Sequence, residues 1–193
     1  MSTYVQNKLL FLQKFIQSPK QIGSVIPSSR FLAHRMLSAV DSRPALKVAE
    51  LGPGTGAITQ YLYRIITPGA HVFLFEKDYE LRSRLMASYP HYHHYAEATE
   101  LTSALKEKGV DRLDCIISGL PYFNFPQAIR DQLLEQIQLS LKPNGQFIAF
   151  QYSLQMKEQL ADYFDVEAIR MVLLNIPPAF IYICRKKGTG HGI

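Results

Sequence analysis

Apolar residues recur along this chain at two alternating spacings, and the alternation orders its elements. Dense runs of strand length occupy Leu46–Leu51, His71–Glu76, Tyr92–Ala96, Leu113–Ser118, Gln146–Tyr152, Val166–Leu173 and Phe180–Arg185. Between them, helical spacing covers Ala57–Ile66, Tyr79–Ser88, Leu101–Lys108, Gln127–Leu141 and Leu154–Tyr163. In the first of these helices Ile58, Leu62, Ile65 and Ile66 share one face. Strand and helix in turn predict a mostly parallel sheet with helices on both faces. The last two strands are joined through Asn175-Ile176-Pro177-Pro178 with no helix between, which predicts an antiparallel closing hairpin. Lys142-Pro143-Asn144-Gly145 reads as the turn into the fifth strand.

Upstream of the first strand the pattern changes. From Tyr4 to Gln17, Val5, Leu9, Leu12 and Ile16 form a stripe that Phe11 and Phe15 widen, and the polar residues lie elsewhere. This predicts an amphipathic helix, stopped at Ser18-Pro19. A linker over 23–29 leads to a second helix, Arg30–Val40, with Ser28 or Ser29 as N-cap. The first helix can serve as a lid packed over a cleft or as an anchor partly inserted into a membrane interface. The expected organisation is one globular domain: an N-terminal helical segment 1–45, a core 46–187 and a mobile tail 188–193.

Charge changes that picture more than composition does. Residues 1–47 hold seven basic side chains (Lys8, Lys14, Lys20, Arg30, Arg35, Arg43 and Lys47) against the single acid Asp41, a net +6 within a total of +5. A basic segment on a nearly neutral body points to an anionic surface, either a phospholipid bilayer or nucleic acid. At 193 residues and 47% apolar content the chain is long enough for a full α/β core. It has no apolar run of about 18 residues that would span a bilayer. The polar first 30 residues do not read as a secretory signal, so a cytoplasmic location is expected. Cys115 and Cys184 lie inside strands and read as reduced core thiols. His91, His93 and His94 cluster near the third strand without metal-ligand spacing, so no metal is expected.

The candidate chemistry begins at Glu50-Leu51-Gly52-Pro53-Gly54-Thr55-Gly56. Glycines after a buried strand let the turn adopt positive φ and bring backbone close to a ligand, and the N-terminus of the following helix points at it. Gly52-x-Gly54-x-x-Ala57 also satisfies the looser dinucleotide fingerprint. Glu76, ending the second strand, suits ribose hydroxyls under either reading.

These motifs resemble the cofactor loop of class I S-adenosylmethionine-dependent methyltransferases, a Rossmann-like α/β fold with a seven-stranded sheet. The resemblance implies that Glu50 helps fix the cofactor's amino-acid end, that Gly52, Gly54 and Gly56 carry the turn, and that Glu76 and Lys77 border the ribose. It also implies that Glu97 and Ala98 lie near the adenine. S-adenosylmethionine would be the cofactor and S-adenosylhomocysteine the product. Ser118-Gly119-Leu120-Pro121-Tyr122 resembles the Asn/Asp-Pro-Pro-Tyr or Asn-Leu-Pro-Tyr loop of amine-directed members, with Ser118 in place of the Asn or Asp that accepts hydrogen bonds from the target amine.

A closer resemblance, to bacterial phospholipid N-methyltransferases of the phosphatidylethanolamine type, rests on three segments. They are Phe11, Phe15, Pro19, Gly23, Ser24, Pro27, Ser28 and Ser29; Ser118-Gly119-Leu120-Pro121; and Asn175-Ile176-Pro177-Pro178-Ala179-Phe180-Ile181-Tyr182. It implies methyl transfer to the amine of phosphatidylethanolamine or its methylated derivatives, by an enzyme held peripherally on the inner membrane face. Lys8, Phe11, Lys14 and Phe15 would contact the anionic bilayer. Tyr122 and Ser118 are the catalytic candidates, and Tyr122, Phe123 and Phe125 could surround a methylated ammonium. Phe123 and Phe125 read equally well as packing residues. The alternative is a ribosomal RNA adenine N6-methyltransferase, with RNA as the acceptor. A cofactor-binding domain without catalysis fits the intact Glu50 and Glu76 poorly.

Overall fold

The computed structural model describes residues 26–41, 45–173 and 178–188. Strand β1 is Ala45–Leu51, β2 Ile66–Phe75, β3 His93–Tyr95, β4 Leu113–Ser118, β5 Leu141–Gln151, β6 Phe164–Val172 and β7 Ala179–Lys186. Helix α1 is Ile26–Leu37, α2 Tyr79–Ser88, α3 Leu101–Glu107, α4 Gln127–Ser140 and α5 Lys157–Tyr163. The strands form one sheet in the order β3-β2-β1-β4-β5-β7-β6. The pairings from β3 across to β5 are parallel, and β7 runs antiparallel to both β5 and β6. This is the predicted seven-stranded sheet with its closing hairpin. The chain order reverses between β1 and β4, so the segments leaving those two strands diverge and open a crevice at their C-terminal ends.

Alternation along β1 sends Val48 to one face and Ala49 and Leu51 to the other. On the Ala49 face lie residues of α3, α4 and α5, with Phe73, Phe75, Phe147 and Tyr182 from the sheet. The Val48 face is covered by α1, α2 and a 3-10 helix, Thr59–Arg64. Leu32, Ala33, Met36 and Leu37 of α1 are buried there, so this helix is part of the core; each of its large apolar side chains contributes about 1.5–3 kcal/mol by burial. Gln146 holds the exit of α1, its Oε1 accepting from Asp41 N at 2.7 Å and its Nε2 donating to Ala39 O at 3.3 Å.

Among the boundaries that differ from the sequence expectation, three have a clear local cause. Helix α1 starts at Ile26, ahead of Arg30, because Pro27 is tolerated in a first turn where its missing N–H needs no partner. The helix expected over Ala57–Ile66 is the shorter 3-10 segment, and the β-branched run Ile65-Ile66-Thr67 passes directly into β2. Lys142-Pro143-Asn144-Gly145 does reverse the backbone locally, with Asn144 at φ 60°, but as a bulge inside β5. Leu113 pairs with Leu141 and Cys115 with Gln146, which leaves four β5 residues opposite one β4 residue.

The predicted helix over Tyr4–Gln17, with Lys8, Phe11, Lys14 and Phe15, lies outside the described residues, as do Asn175, Ile176 and Pro177. No helix among the described residues is long and apolar enough to cross a membrane.

Candidate active site

The C-terminal ends of β1, β2, β3 and β4 bring four segments together. At the end of β1, the Glu50 side chain is fully buried and faces the 3-10 helix, where the Thr59 hydroxyl donates to Glu50 Oε2 at 2.7 Å. Glu50 Oε1 is buried and has no partner among the described residues. Burial pushes the carboxyl up to about 8; the Thr59 hydrogen bond opposes the rise, and the nearby Glu76 carboxylate adds to it.

The turn after β1 has Gly52, Gly54 and Gly56 at φ 70°, 58° and 84°. A side chain at Gly52 would also collide, since a Cβ there lies 2.8 Å from Leu120 Cδ2. A Cβ at Gly54 would meet nothing within 4 Å, so its backbone borders open space. Gly52 N donates to Phe75 O at 2.9 Å. Glu76 ties the turn down from the neighbouring strand: its Oε2 accepts from Gly54 N at 2.9 Å and its Oε1 from Asp78 N at 2.9 Å. Each carboxylate oxygen keeps a second lone pair for a ligand hydroxyl. Asp78 N-caps α2 by accepting from Leu81 N, and Arg82 donates to Glu76 O at 2.7 Å, so the segment after β2 is pinned at both ends.

Lys77 and Glu97 form an exposed ion pair at 3.5 Å across the ends of β2 and β3. Such pairs contribute little to stability. Ala98 begins the short 3-10 helix Ala98–Glu100 and packs on the core. Glu50, the three glycines, Glu76, Lys77, Glu97 and Ala98 therefore gather at the C-terminal ends of β1, β2 and β3.

On the far side of the crevice, Gly119 N donates to Leu51 O at 2.8 Å, and a Cβ on Gly119 would lie 3.0 Å from Gly52 O. The loop after β4 thus rests against the glycine turn. Ser118 is fully buried. Its Oγ accepts from Leu120 N at 3.2 Å and shares a hydrogen bond with the Tyr122 hydroxyl at 2.9 Å. Gln151, at the end of β5, donates from Nε2 to Leu120 O at 2.8 Å.

The aromatic expectation needs correction here. Tyr122 is 1% exposed, and its ring packs edge-on to Phe125 and Phe147 inside the core. Burial also raises its phenol well above the ordinary value, so it is neither an open wall nor a ready base. Phe125 is packed on the same core, whereas Phe123 is 43% exposed and is the one of the three open to solvent. His71 Nδ1 and His93 Nε2 meet at 3.3 Å along the β2–β3 edge, and His94 bonds Tyr89 O, so these rings lie away from the Ser118 loop. Among the described residues no group of three or more His, Cys, Asp or Glu could hold a metal.

Sequence reasoning missed Thr59 and Gln151. Thr59 carried one faint signal, a polar residue set beside Ile58 in the apolar stripe. Gln151 carried another, an amide closing the apolar run Phe147–Phe150.

The buried Glu50 Oε1, unpartnered among the described residues, and the open space beside Gly54 fit a ligand with a cationic end and hydroxyls, as S-adenosylmethionine has. No family model matches the chain. It is 28% identical over 181 residues to an ornithine lipid N-methyltransferase of Singulisphaera acidiphila, covering 91% of this chain and 94% of that one. A ribosomal RNA small subunit methyltransferase A of Laribacter hongkongensis is 39% identical over 71 residues, which span 37% of this chain and 26% of the relative. The fold matches the N-methyltransferase NodS from Bradyrhizobium japonicum WM9 in complex with S-adenosylhomocysteine, with a TM-score of 0.71 and 12% identity over 88% of this chain and 92% of that one. Sheet order, glycine turn and relatives agree: the chain has the fold of the class I S-adenosylmethionine-dependent methyltransferases, and the relatives it resembles are methyltransferases.

Proposed function

We propose that this enzyme transfers methyl groups to the aliphatic amine of a membrane lipid headgroup, of the phosphatidylethanolamine kind, while bound peripherally to the inner face of the membrane. The observation that carries this reading is Ser118. An adenine amino group delocalises its lone pair into the ring, so a loop that methylates it needs a carbonyl to accept from the N–H groups and localise that pair. Ser118 offers a hydroxyl already engaged by Tyr122 and by Leu120 N. An aliphatic amine keeps a full lone pair once deprotonated and asks mainly for alignment, which contributes up to about 7–11 kcal/mol. The match to the ornithine lipid enzyme along most of both chains supports the same class of acceptor.

When bound, S-adenosylmethionine supplies an electrophilic methyl on a sulfonium. In this reading Glu50 faces its amino-acid end, the backbone of Gly52–Gly56 lies along it, Glu76 takes the ribose hydroxyls, and Glu97 with Ala98 borders the adenine. Ser118, Tyr122 and Gln151 hold the acceptor loop rigid against the glycine turn, and Phe123 offers the exposed ring beside the amine. A desolvated crevice disfavours the charged ammonium and so favours the nucleophilic neutral amine. Lys8 and Lys14 attract anionic headgroups at roughly 1 kcal/mol each, with Phe11 and Phe15 entering the interface.

The test is to incubate the purified protein with methyl-labelled S-adenosylmethionine and either vesicles of phosphatidylethanolamine and anionic lipid or unmodified ribosomal RNA. Label in the lipid is the expected result. Label in RNA alone overturns the proposal and makes Ser118 a working variant of the adenine loop.

A further inference from the structure

We propose that cofactor binding by this enzyme releases one proton from Glu50, and that Thr59 is the positioning residue that holds the carboxyl ready for that exchange. The geometry is a two-sided arrangement. Glu50 Oε2 is occupied by the Thr59 hydroxyl at 2.7 Å, while Oε1 is buried with no partner among the described residues. Thr59 is itself buried, so the hydrogen bond is shielded from water and fixes which oxygen is left over. The titratable groups acting on Glu50 from the elements around it are Glu76 at the end of β2 and Tyr89 and Tyr92 after α2. None is a cation. Burial keeps both tyrosines above their ordinary values and therefore neutral, and Glu76 repels a second negative charge.

A carboxylate buried beside Glu76, with no cation facing it among the described residues, is unstable, so the free protein carries the proton on Oε1. The cationic amino-acid end of the cofactor reverses that balance. The Oε1–H bond breaks, its electron pair stays on Oε1, and the proton passes to the buffer; the Thr59 hydroxyl continues to donate to Oε2. Cofactor affinity therefore rises with pH until Glu50 is ionised in the free protein as well, which occurs at about 8.

The probe is S-adenosylhomocysteine, titrated calorimetrically into the full chain in two buffers of unequal ionisation enthalpy. At pH 7 the wild-type protein should release the larger part of one proton per ligand, and its affinity should rise several-fold between pH 6 and pH 7. Glu50→Gln should release none and bind with flat pH dependence. Thr59→Val removes a bond that favours the ionised form, so the rise in affinity should continue to higher pH, with several-fold weaker binding at pH 8. Thr59→Ser should restore the wild-type profile. A purely structural Thr59 would change melting temperature and leave the pH profile alone. Wild-type binding without proton release, or Thr59→Val titrating like wild type, overturns the inference. If a variant fails to fold, the wild-type proton count alone decides.

Discussion

Replacing Gly52 by Ala strikes the contact where the glycine turn meets the loop after β4, proposed above as the acceptor loop, and the two costs can be separated. At φ 70° an alanine pays about 1–2 kcal/mol for the left-handed backbone. Its Cβ also falls 2.8 Å from Leu120 Cδ2. Relief of that contact requires Leu120 to move, and Leu120 is held by Ser118 Oγ at its N–H and by Gln151 at its carbonyl. Overpacking of this kind costs about 1–3 kcal/mol. Together they amount to roughly 2–5 kcal/mol, a fall of roughly 5–15 °C in Tm for a chain of this size. Because the displaced segment is the acceptor loop, kcat should fall at least tenfold while the dissociation constant for S-adenosylhomocysteine changes less. The companion Leu120→Ala removes the clash and leaves the backbone cost. In the double variant the destabilisation should be smaller than the sum of the single ones by about 1–3 kcal/mol, and much of kcat should return. Thermal unfolding and turnover on the four proteins complete the cycle. Additive losses, or a Gly52→Ala enzyme with wild-type kcat, refute the argued contact.

Three further outcomes follow from the same geometry. Glu50 has its folded value raised from 4.5 to about 8, so its stabilising protonated form is fully present below 4.5 and is lost as pH rises to 8; the loss is about 5 kcal/mol. Melting curves of the free protein should fall through that window while those of Glu50→Gln do not, and parallel curves would contradict it. Tyr122→Phe loses the hydrogen bond to Ser118 and should cost about 1–2 kcal/mol in urea unfolding with turnover kept within a few-fold. Tyr122→Ala opens a core cavity and should cost about 3–5 kcal/mol, with turnover lost more than cofactor affinity; an equally large loss of turnover in Tyr122→Phe would make the hydroxyl catalytic. Phe11→Asp should weaken vesicle binding at least tenfold in flotation and leave RNA binding nearly unchanged, and retained vesicle binding would remove the interface helix from the account.

The sheet was legible in the sequence because its central strands β1, β2, β4, β5 and β7 are buried and read as apolar runs, with the edge strands β3 and β6 following from the alternation with helices. The glycine turn with Glu50 and Glu76 beside it was legible too, since the positive φ of the three glycines and the strand-end positions of the two acids follow from local chain geometry. What the chain hides depends on which strands become neighbours. Gln151 reaches Leu120, and Leu120 lies over Gly52, only because β4 is inserted between β1 and β5. Tyr122 follows a proline in a loop and reads as exposed; its burial comes from Phe147 of β5 and Phe125 turning toward the same face. The 3-10 segment escaped because Ile65 and Ile66 satisfy a helical stripe and a β-branched strand start equally well.

The measurement that bears most directly on the central claim is a competition in one vessel: enzyme, methyl-labelled S-adenosylmethionine, phosphatidylethanolamine vesicles containing anionic lipid, and ribosomal RNA, followed by organic extraction. Label is expected in the lipid phase, as methylated headgroups identified by mass spectrometry, with the RNA unlabelled. Label that stays with the RNA, with unmodified lipid, would contradict it.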